Sequence, residues 1–314
     1  MPNYKARFQM MGTFIDIAVH HEKGEQLTQD CYLQLQQFAQ RFTVNQSQSE
    51  LMRVNNNAGI RPVRVKADLY QLLKKSQEIS LDASNPFNIA IGPLVKTWRI
   101  GFNDARLPSD AELANQLAIV DPTKILLDEQ YQTAYLIQQG MQIDLGAIAK
   151  GYFADRIKGY LVSEGVESGY INLGGNVLTI GYSPDNATKA WHVGIQDPLS
   201  SRGEINRVVA LRDHSMVTSG INERYFDING QRYHHLLDAK TGKPIITNIA
   251  SITIISKHSV DGEIWSTAGF LESIREALCY LNKQVGIEAV LISNQGEVYI
   301  TNGLKDDGRC ILLK

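Results

Sequence analysis

The sequence predicts an α+β protein in which antiparallel strands and amphipathic helices are mixed. Apolar residues recur at helical spacing in three long segments, residues 25–42, 68–84 and 262–281. Between residues 191 and 255 the chain is rich in short strand-like runs separated by turn dipeptides. These turn signals are Asp197-Pro198, Asn229-Gly230 and Thr241-Gly242. No internal repeat or low-complexity segment stands out.

The first half of the chain supplies further elements. A strand over Phe8–His20 is interrupted at Met11-Gly12-Thr13, and Ser49 is a candidate N-cap for a short helix. Two prolines forbid a regular helix over residues 85–93. Short strands are predicted at residues 124–127, 133–137 and 142–145.

The second half begins with a strand end that feeds a helix over residues 144–165. A strand follows over residues 169–181 and contains the pair Gly174-Gly175. Paired glycines weaken a strand, so they indicate either a bulge or a close approach of the backbone to a ligand. Residues 289–292 and 297–300 form a hairpin-like end around Asn294-Gln295-Gly296.

Composition excludes several classes of protein. The 314 residues are 43% apolar and 20% charged, which is an ordinary balance for one large or two modest globular domains. A formal net charge of -2 with scattered basic residues gives no reason to expect a nucleic-acid or acidic-membrane partner.

Compartment is predicted from cysteine usage and from the N-terminal segment. The cysteines Cys31, Cys279 and Cys310 have neither disulfide-framework nor zinc spacing, which favours a reducing compartment. Residues 1–11 lack the apolar core of a signal peptide, and no run of about 18 apolar residues could span a membrane. If Met1 is the native start, we expect a cytoplasmic protein.

The run from Asp144 to Gly151 carries the first chemical signal. Asp144 lies close to a predicted helix start and Lys150 lies within the first turns of that helix. A helix N-terminus favours anions, and a nearby lysine adds a point charge suited to phosphate. A well-capped helix with an exposed lysine is the alternative.

Three further patterns are weak when taken singly. Two hydroxyls precede a glycine in Thr218-Ser219-Gly220, followed by Glu223-Arg224-Tyr225, and suit either a phosphate or ribose contact or a turn. Because neighbouring residues on a strand face opposite ways, only one of His234 and His235 can face a site, where it would serve as a general base. Glu263 and Thr267 lie four residues apart on one helical face and offer oxygen ligands suited to magnesium, or form an ordinary solvated pair.

Together and in this order, the motifs resemble those of the ApbE family, the FAD:protein FMN transferases. The resemblance runs from about Met11 to beyond Thr267. It rests on Met11-Gly12-Thr13, Ser49-Glu50-Leu51 with Asn55, Phe87-Asn88-Ile89 leading to Gly92-Pro93-Leu94-Val95, Asp144 to Tyr152 with Asp155, Asn172 to Asn176, Thr218-Ser219-Gly220, Tyr233-His234-His235 with Asp238 and Thr241-Gly242, and Ser266-Thr267.

The resemblance implies a T-fold-related, two-lobed architecture with mostly antiparallel sheets, flanking helices and an FAD cleft between the lobes. Residues 1–314 would form a single catalytic unit of two intertwined lobes, with no linker-delimited domain. The implied reaction cleaves FAD, leaves FMN on a threonine hydroxyl of an acceptor flavoprotein and releases AMP, with Mg²⁺ at the pyrophosphate. A cytoplasmic flavin-dependent reductase is the expected acceptor.

Roles of individual residues are also implied by the resemblance. The metal ligands would be the Ala147 carbonyl, the Glu263 carboxylate and the Thr267 hydroxyl, while His235 would be the base and Lys150 would assist catalysis. The implied cofactor-binding residues are Met11, Asn45, Phe87, Asn88, Ile89, Asp144, Lys150, Thr218, Ser219, Gly220 and His234.

Two positions depart from the family pattern, and two other functions stay open. The family usually has aspartate where this chain has Glu263, so metal affinity or metal preference is expected to differ. Many relatives carry tyrosine where this chain has Asn45, and a more polar wall there would favour water as the acceptor. The alternatives are therefore a Mg²⁺-dependent FAD pyrophosphatase that gives FMN and AMP, and a non-catalytic FAD-binding protein.

Overall fold

A computed structural model describes residues 3–83, 85–201, 203–308 and 310–312. It divides the chain into two compact units, each assembled from separate stretches of sequence. Unit 1 comprises Met1–Ala39, Lys150–Gly220 and Thr247–Lys314, and unit 2 comprises Gln40–Ala149 and Ile221–Ile246.

Helices and strands are mixed along the chain, as the sequence predicts. The helices are α1 (Gly24–Phe42), α2 (Glu50–Asn56), α3 (Ala67–Leu81), α4 (Gly92–Trp98), α5 (Asp110–Leu117), α6 (Ala149–Ser163), α7 (Ser259–Ala268), α8 (Ile274–Leu281) and α9 (Asn302–Asp307), with 3₁₀ turns at Ile89–Ile91 and Pro122–Lys124. The strands are β1 (Asn3–Met10), β2 (Thr13–His20), β3 (Val63–Arg64), β4 (Ile125–Asp128), β5 (Thr133–Leu136), β6 (Ser168–Leu173), β7 (Val177–Gly181), β8 (Trp191–Gln196), β9 (Ile205–Leu211), β10 (Ser215–Gly220), β11 (Tyr225–Ile228), β12 (Gln231–His234), β13 (Ile249–Ser256), β14 (Glu288–Ser293), β15 (Val298–Ile300) and β16 (Cys310–Leu312).

Unit 1 is built on an eight-stranded sheet with the order β1-β2-β6-β7-β10-β13-β14-β15. Each neighbouring pair in it is antiparallel. A smaller antiparallel sheet, β16-β9-β8, belongs to the same unit. The predicted α+β class with mostly antiparallel sheets is therefore confirmed.

The paired glycines in unit 1 form a hairpin turn between β6 and β7. Gly174 and Gly175 have φ values of +68° and +99°, a region that favours glycine. A Cβ on Gly174 would lie 2.2 Å from Thr13 Oγ1, and Asn172 Oδ1 accepts a hydrogen bond from Gly175 N–H at 2.8 Å. The turn itself thus requires these glycines.

Strand β13 is buried along its whole length because both faces of the large sheet are covered. On one face Ile255 and Met216 pack with residues of β8 and β9 in a single apolar cluster. On the other face α7 lies against β10 and β13, and a Cβ on Gly262 would come within 2.6 Å of Val217 Cγ2. The sheet therefore fixes the position of α7.

Helices α1 and α6 also pack within unit 1. The rings of Phe38 and Phe153 stack with centroids 5.0 Å apart, and the Tyr160 hydroxyl donates to Asp30 Oδ2 at 2.8 Å. Because these contacts hold both helices, the first turn of α6 has a fixed position in the unit.

Unit 2 has a separate apolar core around Trp98. This side chain packs with Leu94 and Leu113 and against the rings of Phe226 and Tyr233. Its indole N–H donates to Gly242 O at 2.7 Å. The core is accompanied by a three-stranded sheet, β3-β5-β4, and by the hairpin β11-β12.

Three predicted elements differ in the structure. The single strand predicted over residues 169–181 is two antiparallel strands, β6 and β7, because the paired glycines form a turn. Residues 142–145 form no strand, because Ile143 pairs with the side chain of Asn55 and Asp144 N–H donates to Ile89 O in a 3₁₀ turn. The predicted helix over residues 262–281 is two helices, since α7 ends at the C-cap Gly269 and Ser273 caps α8 by accepting from Glu276 N–H. Within the described ranges, no helix is long and apolar enough to cross a membrane.

Candidate functional site

Glu263 is a buried carboxyl group on α7 of unit 1, with 6% of its surface exposed. Its Oε1 accepts a hydrogen bond from Asn176 Nδ2 at 2.8 Å, and the Gly151 backbone N–H also donates to the carboxylate. Desolvation raises the pKa of Glu263, and the nearby charge of Lys150 opposes that effect. The fold therefore holds the Glu263 carboxyl group away from solvent, where neighbouring groups determine how readily it ionises.

A glycine allows α6 to approach this carboxyl group closely. A Cβ on Gly151 would lie 2.5 Å from Ser259 O and 2.7 Å from Glu263 Cγ. No side chain fits at those distances, so the first turn of α6 packs directly on α7 through bare backbone. The same turn carries Lys150, which is half-buried.

Thr267 lies one helical turn after Glu263 and is half-buried. Its neighbour Ser266 is already engaged, because its hydroxyl pairs with Ser219 Oγ at 2.8 Å and donates to Glu263 O at 3.2 Å. The hydroxyl of Thr267 makes no hydrogen bond within the described part of the chain. Of the two hydroxyls, only that of Thr267 is left available to a ligand.

The two hydroxyls predicted to bind the cofactor from β10 point to opposite faces of the sheet. Ser219 faces α7, where it meets Ser266, whereas the Thr218 hydroxyl pairs with Thr253 Oγ1 at 2.8 Å. Alternation along the strand requires this separation. Gly220, the last residue of β10, is buried.

In unit 2, Asp144 is held by backbone groups. Its N–H donates to Ile89 O at 3.0 Å, and its Oδ1 accepts from Gly146 N–H at 2.7 Å. Desolvation raises the pKa of Asp144, while the Gly146 N–H and the charge of Arg224 lower it. Asp144 and Ile89, which are both predicted to bind the cofactor, are therefore in direct contact.

The two adjacent histidines of unit 2 have different surroundings. His234 is buried, its Nε2 lies 3.0 Å from Ile245 O, and desolvation lowers its pKa. His235 is half-buried, and its Nδ1 lies 3.2 Å from Arg224 O. Because a carbonyl oxygen can only accept, His235 carries a proton on Nδ1 when it makes this hydrogen bond.

The other predicted site residues occupy turns and loops. Met11 is half-buried in the β1–β2 turn with a φ of +54°, and Asn45 is exposed between α1 and α2. Phe87 is buried. Asn88 caps the following 3₁₀ turn, because its Oδ1 accepts a hydrogen bond from Ala90 N–H at 2.8 Å. Ala147 is exposed in the turn that precedes α6.

The oxygen atoms of Glu263 and Thr267 fit a magnesium ion that is shared with a phosphate ligand. No group of three or more His, Cys, Asp or Glu side chains that could hold a metal is found among the described residues. Magnesium does not need such a cage, since it is usually held by one or two carboxylates together with water and substrate phosphates. Glu263 retains acceptor capacity after its two hydrogen bonds, and Thr267 adds a free hydroxyl.

The structure reveals supporting residues to which the sequence had assigned no role. Asn176 and Ser259 are linked to Glu263, and Asp155 accepts from the N–H groups of Ser259 and Val260 at 2.8 and 2.9 Å. Asp155 and Asn176 stand in the motifs that carry the family resemblance. Ser259 does not stand out in a single sequence, and Arg224 appears there only in the run that follows Thr218-Ser219-Gly220.

Comparison with known proteins places the chain in a family. The model of the ApbE family matches residues 11–291. A protein of Klebsiella pneumoniae (strain 342) named FAD:protein FMN transferase is 36% identical over 293 residues, which cover 93% of this chain and 90% of that protein. A protein of Treponema pallidum (strain Nichols) with the same name is 34% identical over 294 residues, which cover 90% of this chain and 81% of that protein.

Solved structures share the fold. The ApbE protein of Thermotoga maritima matches with a TM-score of 0.88 and 26% identity, covering 97% of this chain and 98% of that one. The flavin transferase ApbE of Vibrio cholerae matches with a TM-score of 0.84 and 22% identity, covering 97% and 99%. The protein belongs to the ApbE family.

Proposed function

We propose that this protein is an FAD:protein FMN transferase that requires Mg²⁺. The observation that carries the proposal is the buried carboxylate of Glu263, which lies beside Lys150 and one turn from the free hydroxyl of Thr267 in a chain of the ApbE family. A protein that only stores FAD would not need a desolvated carboxylate, because burying such a group destabilises the folded state.

The reaction transfers a flavin mononucleotide group between two oxygens. The hydroxyl oxygen of an acceptor threonine forms a bond to the FMN phosphorus of FAD, and the bond from that phosphorus to the oxygen of AMP breaks. The hydroxyl proton passes to a base, and AMP leaves with the bridging oxygen. Such transfers depend on positioning and charge neutralisation more than on covalent help from the protein.

Glu263, Thr267 and the backbone carbonyl of Ala147 are the proposed metal ligands. When bound, Mg²⁺ would neutralise negative charge on the pyrophosphate oxygens. Lys150 is proposed to bind the same phosphate group as a point charge. Asn176 and the Gly151 N–H hold the Glu263 carboxylate by hydrogen bonds.

His235 is the proposed base for the acceptor hydroxyl. Its Nδ1 lies 3.2 Å from Arg224 O, and this contact orients the ring. General-base assistance of this kind typically contributes about 10²–10⁴ in rate. His234 has its Nε2 committed to Ile245 O and is proposed to support the cofactor, not to move the proton.

The remaining predicted positions are proposed to bind FAD. They are Met11, Asn45, Phe87, Asn88, Ile89, Asp144, Thr218, Ser219 and Gly220. The proposed partner is a flavoprotein that presents a threonine, with a cytoplasmic reductase as the expected acceptor.

The proposal is tested by AMP release from FAD. Purified protein is incubated with FAD and Mg²⁺, with and without an acceptor flavoprotein, and with EDTA as the metal-free control. We expect AMP and a covalently flavinylated acceptor only when both acceptor and Mg²⁺ are present. AMP and FMN without any acceptor would instead show a pyrophosphatase, and bound FAD with no AMP in any mixture would show a binding protein.

A further inference from the structure

A chain of buried hydrogen bonds leads from Ser259 through Asn176 to Glu263. Ser259 Oγ donates to Asn176 Oδ1 at 2.6 Å, and Asn176 Nδ2 donates to Glu263 Oε1 at 2.8 Å. A primary amide accepts only through its oxygen and donates only through its nitrogen. Because an ionised carboxylate can only accept, the NH₂ group of Asn176 faces Glu263, and the amide oxygen is held by the hydroxyl of Ser259.

We propose that Asn176, whose amide oxygen is anchored by Ser259, is a positioning residue that holds the Glu263 carboxylate in the orientation that binds the metal. The proposal rests on the proposed function, which makes Glu263 a magnesium ligand. It assigns the two linked residues a role in metal affinity, whereas neither of them contacts the metal.

Asn176 and Ser259, which we call the relay, are both held by hydrogen bonds within unit 1. Asn176 is 2% exposed and follows the β6–β7 turn, where its carbonyl accepts from Leu173 N–H at 2.8 Å. Ser259 is fully buried at the start of α7, and Asp155 binds its N–H together with that of Val260. The amide is thus fixed between a hairpin and a helix start.

A glutamate needs this support more than an aspartate would. Its carboxylate has one more rotatable bond, and Glu263 is the single carboxylate of the proposed ligand set. Magnesium tolerates little departure from octahedral geometry, so the angle of that carboxylate matters. Groups that orient metal ligands typically change metal affinity or activity about 10–100-fold when they are removed.

The test measures metal binding directly. Mn²⁺ is titrated into the full-length protein saturated with FAD, and free Mn²⁺ is followed by electron paramagnetic resonance. We expect Asn176→Ala to weaken Mn²⁺ binding about 10–100-fold. Ser259→Ala leaves the amide of Asn176 in place but removes the hydrogen bond that anchors its oxygen, so we expect a weakening of about 2–10-fold. The Mg²⁺ concentration that half-activates AMP release should rise by matching factors.

Ser168→Ala is the matched control for the loss of a buried hydrogen bond. Ser168 is 4% exposed in β6 of the same sheet, and its hydroxyl donates to Tyr182 O at 2.6 Å, with no link to Glu263. We expect a fall in melting temperature similar to that of Ser259→Ala, with unchanged Mn²⁺ binding. Ser259→Ala also keeps the test decisive if Asn176→Ala does not fold.

The outcomes separate this proposal from the function on which it rests. Wild-type Mn²⁺ affinity in both relay variants would overturn the positioning role and leave the transferase proposal intact. Equal weakening in Ser168→Ala would overturn it too, because the effect would then be general destabilisation. A wild-type protein that neither binds Mn²⁺ with FAD nor releases AMP would refute the proposed function itself.

Discussion

Gly151→Ala is expected to separate α6 from α7 and to displace Glu263. The new Cβ would lie 2.5 Å from Ser259 O and 2.7 Å from Glu263 Cγ, closer than carbon atoms approach without a shift of their surroundings. Because one of these contacts is backbone, a change of rotamer cannot relieve it. The helix must move, and the hydrogen bond from the N–H of residue 151 to the carboxylate is weakened.

Overpacking of this kind costs about 1–3 kcal/mol. For a chain of this size each kcal/mol lowers the melting temperature by about 2 °C, so we expect a fall of about 2–6 °C. The effect on catalysis should be larger, since a displacement of about 1 Å at a reacting centre can cost about 100-fold in rate. We expect AMP release to slow by at least about 10-fold.

The chain offers a matched control on the same helix. Gly159 is exposed on α6, and a Cβ there would meet nothing within 4 Å. Gly159→Ala should stabilise the protein by about 0.5–1 kcal/mol through helix propensity alone and leave AMP release unchanged. The assays are thermal unfolding by circular dichroism and initial rates of AMP release from FAD with Mg²⁺ and acceptor. If Gly151→Ala matches Gly159→Ala in both assays, the close packing of α6 on α7 is not what positions Glu263.

Three further changes test the charges and the base. Burial raises the pKa of Glu263, so this carboxyl favours the folded state while protonated and loses that contribution as the pH rises through its raised pKa. Without metal, Glu263→Gln should therefore have a higher melting temperature than wild type at pH 8, and this difference should disappear near pH 4. A lower melting temperature of the variant at pH 8 would contradict this. With Mg²⁺ present, the variant should release no AMP. Lys150→Ala removes a charge that lowers the pKa of Glu263, so the acidic limb of the pH–rate profile should move to higher pH; an unmoved limb would refute the coupling. His235→Ala should abolish flavinylation while FAD fluorescence titrations still show binding, and a normal rate would show that another group is the base.

The sequence predicts best where local pattern and tertiary contacts agree. Ser49 was expected to cap a helix, and its hydroxyl accepts from Met52 N–H at 2.9 Å. Glu263 and Thr267 were placed on one helical face, and α7 contains both. Periodicity and capping chemistry act within a few residues, so one sequence reports them directly.

The failed strand at residues 142–145 shows where local pattern stops being sufficient. Burial alternates from Met141 to Leu145 as it would in a strand. However, the main chain of Ile143 pairs with the side chain of Asn55, through Ile143 N–H to Oδ1 at 2.8 Å and Nδ2 to Ile143 O at 3.0 Å. Alternation records which side chains are buried and says nothing about which groups satisfy the backbone.

The relay of Ser259 and Asn176 could not be predicted for a similar reason. Its members are 83 residues apart in the chain, and no periodicity links a hairpin turn to a helix start. The family resemblance assigned the carboxylate of Glu263 to a ligand, whereas what orients it depends on how β7 and α7 meet in unit 1. Residues that act through another residue are defined by contacts, so they emerge only from a three-dimensional structure.

If the protein is the proposed transferase, the proposed ligands Glu263, Thr267 and Ala147 imply that Mg²⁺ and FAD bind together. One carboxylate, one hydroxyl and one carbonyl leave an octahedral ion short of ligands, and phosphate oxygens and water would have to complete it. In the absence of the metal ion and the phosphate groups, burial raises the pKa of Glu263, and Lys150 is the charge that lowers it. Arrival of the metal with the pyrophosphate would favour the ionised carboxylate, and the hydrogen bonds from Asn176 and Gly151 would then be strengthened by its charge. On the proposed function, the ionised carboxylate would therefore be disfavoured until substrate is present, and the reactive arrangement would be confined to the complex with FAD.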